Sequence, residues 1–368
     1  MKIPFFNYQK LYVKNKEAIE EAFFSVMERG AFILQSDLED FESALAKYTG
    51  AQYALGVANG TDALWLSMLA AGLKSGDEVL MPSHTYIATP GAARFIGLNP
   101  VLVECGADHL MDPNDLQKQI TNRTKAIIPV QLNGRTCNMA DIINFSNEND
   151  LLIIEDAAQG IGSKFNNQMA GTFGIAGTYS FYPAKTLGCY GDGGAVVTND
   201  TKIADAIYEL RDHGRAKNGD YNRWGINSRL DNIQAAILLS KLKTLDDEIS
   251  RRREIANRYI NGLGDIADLT LPPGPNDNEN YFDTFQNFEI ESGERDKLKK
   301  YLSNQGIGTI VQWGGKAVHQ IKYLGFDIHL PFTDKVFQRC LLLPMNTTLS
   351  DDEINYVIEN IRSFYKFN

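Results

Sequence analysis

Leu151-Leu152-Ile153-Ile154-Glu155-Asp156-Ala157-Ala158-Gln159 is an apolar run that ends in two carboxylates and continues in tiny residues. Four apolar residues without polar alternation suit a strand covered on both faces, as in a parallel sheet flanked by helices. An aspartate just past such a strand lies at the carboxyl edge of the sheet, where open α/β sheets bind ligands. The alanines beyond it let something bulky come close. Taken alone, Asp156 reads better as a cap for the next helix.

Outward from this strand the pattern repeats. Tyr53 to Val57, Glu78 to Met81, Val101 to Glu104 and Ala126 to Gln131 are runs of strand length, and Ala63 to Leu73 has helical spacing. Strands alternating with helices predict a mostly parallel sheet buried on both faces. Thr178 to Tyr182 and Ala195 to Thr198 read as strands joined by a glycine-rich connection. Leu230 to Tyr259 carries apolar residues at helical spacing, long enough to link two domains. Beyond the breaker Leu271-Pro272-Pro273-Gly274-Pro275 come a strand near Phe285 to Ile290, a helix at Arg295 to Asn304, a strand at Thr309 to Gln312 and a helix from Asp351 to Phe364. The expected division is a large α/β domain over 1–245 and a smaller α+β domain over 246–368, with the N-terminal segment able to pack on the smaller one.

Composition narrows the function. The 368 residues carry 36 Lys and Arg against 46 Asp and Glu, a net charge of −10, which disfavours nucleic acid as a partner. No apolar run approaches the length of a membrane span, and MKIPFFNYQK lacks the features of a signal peptide, so a cytoplasmic protein is expected. The four cysteines are scattered without zinc-site spacing, and no metal is expected.

Lys185 closes Gly177-Thr178-Tyr179-Ser180-Phe181-Tyr182-Pro183-Ala184-Lys185, among aromatic and small residues. A desolvated lysine has a depressed pKa and a nucleophilic amine that can form an imine. A lysine snorkelling from a loop is the structural alternative. Asn59-Gly60-Thr61-Asp62 opens a helix, which makes it either an ordinary cap or a phosphate cradle of exposed amides and a hydroxyl. Gly191-Asp192-Gly193-Gly194 leads into a strand and is no dinucleotide fingerprint, which argues against an NAD-dependent enzyme. A phosphate cradle, a carboxylate at a strand end, an aromatic near another strand end (Tyr86) and a desolvated lysine together match the needs of pyridoxal phosphate.

Several ordered motifs carry a wider resemblance: Asn-Gly-Thr-Asp-Ala-Leu at 59–64, Gly-Asp-Glu-Val-Leu-Met-Pro-Ser-His-Thr-Tyr at 76–86, Glu-Asp-Ala-Ala-Gln at 155–159, Ser-Phe-Tyr-Pro-Ala-Lys at 180–185, Gly-Asp-Gly-Gly-Ala at 191–195 and Asn-Ser-Arg-Leu-Asp at 227–231. With these the chain resembles the DegT, DnrJ, EryC1 and StrS sugar aminotransferases, of aspartate-aminotransferase fold. The resemblance implies that Lys185 bonds to the cofactor, Asp156 meets the pyridine nitrogen, Gln159 the ring hydroxyl, and Tyr86 the ring face. It implies that Gly60, Thr61 and Ser180 hold the phosphate, and that Asn227 reaches the phosphate of a second subunit in a homodimer with shared sites. Arg229 is a candidate for an anionic substrate group, with an ion pair as its structural alternative.

The C-terminal part departs from the commonest pattern of this family. Gln286 stands where many members have histidine, and Val311-Gln312-Trp313-Gly314-Gly315-Lys316-Ala317-Val318-His319 replaces a more usual Ile-His-Tyr-Pro segment. That variant resembles the subgroup aminating C-3 of dTDP-3-keto-6-deoxyhexoses, and makes Trp313 and His319 candidate substrate contacts, with a satisfied histidine between packed loops as the structural alternative for His319. The expected reaction takes the amine from L-glutamate through pyridoxamine phosphate to a dTDP-linked 3-keto sugar, of galacto rather than gluco configuration. Its product would be a 3-amino-3,6-dideoxyhexose nucleotide for surface polysaccharide such as lipopolysaccharide O-antigen. Amination at C-4 of a UDP-, GDP- or dTDP-linked sugar is one alternative, and a non-catalytic regulator on the same fold is another. Relatives that act as dehydratases replace the lysine by histidine, so Lys185 argues against that chemistry.

Overall fold

Seven strands form the central sheet, in the spatial order Tyr53–Val57, Gly194–Thr198, Ala176–Ser180, Leu152–Asp156, Thr124–Ile127, Glu78–Pro82 and Asn99–Val103. This computed structural model describes residues 1–367. Gly194–Thr198 runs antiparallel to both of its neighbours, and the remaining pairings are parallel. The sheet is therefore mixed and mostly parallel, as the unbroken apolar runs predict. All five residues of Glu78–Pro82 and of Gly194–Thr198 are buried, which is why those strands lack polar alternation.

Helix Gly60–Ala70 is the element that matters most for the site. Residues Ala63 to Met68 are all buried, so the helix is apolar around its whole girth and lies inside the layer, not on the surface. It packs against the strands Ala176–Ser180 and Gly194–Thr198. Its N-terminus is thereby fixed at the edge of the sheet.

The C-terminal part has its own three-stranded antiparallel sheet, Leu269–Thr270, Phe288–Ser292 and Cys340–Leu343. Tyr259, Phe288, Leu298, Leu302, Val357 and Ile361 belong to a core there that also takes in Ile3 from the N-terminus. Ile3 pairs with Ile307, which ties the start of the chain to this sheet. Among the described residues no helix is long and apolar enough to cross a membrane.

Three sequence expectations are corrected. The long helical pattern from Leu230 to Tyr259 is two helices, Asn232–Leu242 and Leu245–Leu263, broken at Lys243-Thr244. The strand expected near Phe285 begins only at Phe288, because Phe285 takes a left-handed conformation (φ 52°) that an extended strand excludes. Thr309 to Gln312 is not a strand but a single bridge from Ile310 to Leu342. The chain turns away there because Trp313, Gly314 and Gly315 all have positive φ.

Candidate active site

A cleft of about 840 Å³ opens at the carboxyl edge of the large sheet and is closed on its far side by residues of the C-terminal part, including Gln286, Asn287, Gln312 and Trp313. Gly60, Thr61, Tyr86, Asp156, Gln159, Ser180 and Lys185 all line it. They come from four separate segments, and the sheet brings them together because strand ends and the Gly60–Ala70 N-terminus share one edge.

Asp156 ends the strand Leu152–Asp156 and is buried, 5% exposed. Its Oδ2 accepts a hydrogen bond from the Thr89 hydroxyl at 2.7 Å, and its Oδ1 accepts from the Ala158 amide at 3.1 Å. Thr89 Oγ1 also lies 2.7 Å from Thr85 Oγ1, so the carboxylate is aimed by a chain of two threonines. Burial raises its carboxyl above the usual range, opposed by Thr89, the Ala158 amide and the nearby Lys185. Lys185 leaves the turn after strand Ala176–Ser180, its amide bonded to the Tyr182 carbonyl at 2.8 Å. Burial pushes its amine down to about 8, while the charge of Asp156 pulls the other way. The cleft thus holds an amine that is readily deprotonated beside a carboxylate.

At the mouth of the Gly60–Ala70 helix the Asn59 side chain accepts from the Asp62 amide at 2.8 Å, so the capping reading holds. The cradle geometry is present as well. A Cβ on Gly60 would lie 2.8 Å from Ser180 Cβ, and one on Gly194 would lie 2.4 Å from the Asn59 backbone. Only glycine lets these three segments meet so closely.

Two residues to which the sequence assigned no role organise the site. Thr89, inside the helix Ala88–Phe95, aims Asp156 and carries no motif of its own. Gln286 reaches across from the C-terminal part and brackets Lys185. Its Oε1 accepts from the amide and hydroxyl of Thr186, both at 2.6 Å, and its Nε2 donates to the Ala184 carbonyl at 2.8 Å. The sequence marked Gln286 as a departure without showing what it does. Gln159 has its Oε1 engaged by the Asn133 amide at 2.8 Å, which leaves its amide nitrogen to meet a ligand.

Three candidates are not brought into the cleft. Asn227 is exposed on the segment 212–227, next to Ser228, whose hydroxyl donates to Asp62 at 2.6 Å behind the helix N-terminus. Arg229 is held by Asp212 at 2.8 Å, the ion pair that was its structural alternative. His319 has both ring nitrogens engaged, Nδ1 with Ser83 Oγ at 2.7 Å and Nε2 with Asp334 at 2.9 Å, and its side chain is only 6% exposed. It is a satisfied buried histidine and has no nitrogen left for a sugar. Trp313 does line the cleft, packed against both His84 and Phe337.

Residues 13–362 match the DegT/DnrJ/EryC1/StrS aminotransferase family. The chain is 37% identical to the dTDP-3-amino-3,6-dideoxy-alpha-D-galactopyranose transaminase of Aneurinibacillus thermoaerophilus, over 98% of this chain and 99% of that one. It is 36% identical to a pleiotropic regulatory protein of Geobacillus stearothermophilus, over 100% and 99% of the two chains. The solved structure of S. venezuelae DesV in complex with a ketimine intermediate superposes with a TM-score of 0.95 at 34% identity, covering 99% of each chain. Cleft, lysine and matching length agree: the chain belongs to the DegT/DnrJ/EryC1/StrS aminotransferase family, and is a pyridoxal-phosphate-dependent transaminase.

Proposed function

We propose that this transaminase moves the amine of L-glutamate to the C-3 ketone of a dTDP-linked 3-keto-6-deoxyhexose, of galacto configuration. The observation that carries the chemistry is the Lys185–Asp156 pair at the base of a cleft that also holds a helix N-terminus. When bound, pyridoxal phosphate withdraws electrons from the carbon that bears the transferred amine. Asp156, kept in place by the two threonines, would hold the proton on the ring nitrogen. Lys185 Nζ would hold the cofactor and would supply the base that moves the proton at the reacting carbon. Gly60, Thr61 and Ser180 hold the phosphate against the positive end of the helix. Tyr86 would cover the ring and the free Gln159 amide nitrogen would meet the ring hydroxyl.

The exposed Asn227, pinned beside the cradle by Ser228, supports a homodimer in which Asn227 serves the partner's phosphate. The 3-keto acceptor is supported by Trp313 at the cleft wall and by the dTDP-sugar relative above. The product would feed surface polysaccharide such as O-antigen. Purified protein is expected to show a yellow absorption band that bleaches with L-glutamate and returns on adding the 3-keto sugar. Return of the band with a 4-keto sugar alone would move the reaction to C-4. A band indifferent to every amino donor, despite bound cofactor, would favour a regulator.

Two further expectations arise here. Capture of added pyridoxal phosphate by the apoenzyme should accelerate as pH rises through about 8, because the deprotonated amine is the nucleophile, and level off above it. Stopped-flow absorbance measures this, and a pH-independent rate would exclude Lys185 as the titrating group. Gln286→Ala should release both backbone anchors of Lys185 and lower kcat about 10- to 100-fold, since small misplacements of a reacting group are costly. An unchanged kcat in single-turnover assays would reduce Gln286 to a packing role.

A further inference from the structure

His84, His109 and Glu289 converge behind the cleft from three distant segments. His84 follows the strand Glu78–Pro82, His109 lies in the loop before helix Pro113–Gln119, and Glu289 sits on the strand Phe288–Ser292 of the C-terminal part. One ligand-capable atom from each lies within 4.8 Å of the other two. His109 Nδ1 is 2.8 Å from Glu289 Oε2, and His84 Nε2 is 3.8 Å from Glu289 Oε1.

The hydrogen bonds around the trio fix its protonation. His84 Nδ1 faces the His109 carbonyl at 2.9 Å, and a carbonyl only accepts, so Nδ1 carries the proton. Nε2 of the neutral ring is then a lone pair. It has no hydrogen-bond partner, its side chain is 0% exposed, and it points at a carboxylate. A proton on His109 can satisfy Glu289 and Glu291, but it does nothing for this nitrogen. Two acceptors facing each other in a buried space are costly unless something positive lies between them.

We propose that His84 Nε2, His109 Nδ1 and Glu289 bind one Zn²⁺ ion, which clips the large sheet to the C-terminal part directly behind Trp313. Zinc takes such nitrogen and oxygen donors at about 2.0–2.1 Å, which in tetrahedral geometry sets ligand atoms about 3.4 Å apart. The 2.8 and 3.8 Å separations bracket that spacing. The outer shell is complete. The His109 carbonyl orients His84, and Glu291 accepts from His109 Nε2 at 3.0 Å and is itself paired with Arg339. Asn133 and Gln312 donate to Glu289 at 3.0 and 2.8 Å. Such carboxylate and carbonyl partners are what metal-binding histidines require. Trp313 and Phe337 wall the His84 ring on the other side, at 5.4 and 5.0 Å between centroids. A cavity of about 60 Å³ lined by His109 and Glu289, with Asp108 and Asp283, provides an entry path and room for a water as fourth ligand. No ligand spacing along the chain announces the site, since its members lie 25 and 180 residues apart.

The test uses the full-length, cofactor-loaded enzyme, stripped with a chelator and titrated with Zn²⁺ against a chromophoric competitor. One ion per chain is expected for the wild type. His84→Phe keeps an aromatic ring among Trp313 and Phe337 and removes the unpartnered nitrogen, so it should fold. It should weaken zinc binding more than about 100-fold, beyond the loss typical of an outer-shell change. X-ray absorption of the zinc-loaded wild type provides a measurement independent of any variant, and two imidazoles with oxygen ligands are expected. No stoichiometric binding, equal affinity in His84→Phe, or a shell without imidazole would each overturn the proposal.

Discussion

Lys185→Ala should leave a folded protein that no longer transaminates, with turnover lower by about 10,000-fold or more. The loss is large because in the proposed mechanism the same amine holds the cofactor and moves the proton, and general acid–base transfer alone contributes about 100- to 10,000-fold. Folding should survive. The lysine amine is held against a burial cost that has pushed it down to about 8, and alanine removes that cost. The measurement is steady-state turnover with L-glutamate and keto-sugar, alongside the absorption spectrum and a thermal melt. Lys185→Arg sharpens it, since arginine keeps a charge near Asp156 but supplies no usable nucleophile. Turnover above about one hundredth of wild type in either variant would remove Lys185 from the chemistry.

Asp156→Asn is the second large effect. Asparagine preserves the shape and can still accept from Thr89, but it carries no charge to hold the ring nitrogen protonated. Loss of a preorganised electrostatic partner typically costs about 100- to 1000-fold, and that fall in kcat is expected here. Stability should move the other way. The folded Asp156 carboxyl is raised by burial, so the folded apoenzyme binds more protons than the unfolded chain between their two pKa values. Its contribution to stability therefore falls as pH rises through that window. Asparagine removes this penalty, and the apo-variant should melt at or above wild type at neutral pH. A variant with lower melting temperature and unchanged kcat would make Asp156 a structural residue.

Much of this was legible in the sequence because it is local. Unbroken apolar runs announced a doubly covered sheet, and Lys185 stood out through its aromatic and small neighbours. Asp156 was ambiguous alone and became readable only beside the other motifs. What stayed hidden depends on partners far along the chain. Thr89 acts on a carboxylate 67 residues away, and Gln286 holds the turn of a lysine about 100 residues earlier. The ambiguous candidates failed for the same reason. Nothing near Arg229 or His319 said that Asp212 and the pair Ser83 and Asp334 would occupy them. Strand assignments slipped where one residue took a left-handed turn, as at Phe285 and Trp313, because neither is a type that advertises positive φ.

Glu155 and Asp156 stand side by side on the central strand with opposite fates. Glu155 accepts from the amides of Gly171, Phe173 and Gly174 at 2.6, 2.6 and 3.0 Å and from Gln131 Nε2 at 2.7 Å, wholly enclosed by donors. Asp156, pointing to the other face, keeps its charge available to the cleft. Each face of this strand can accept only one of the two acids. A slip of one residue would drop the shorter acid into the donor cage and swing the longer one toward the threonines, losing both networks at once. The caged glutamate therefore acts as a registration pin. Losing both networks disfavours the slipped register, so the contacts that hold the strand also select the alignment that presents Asp156 to the cleft.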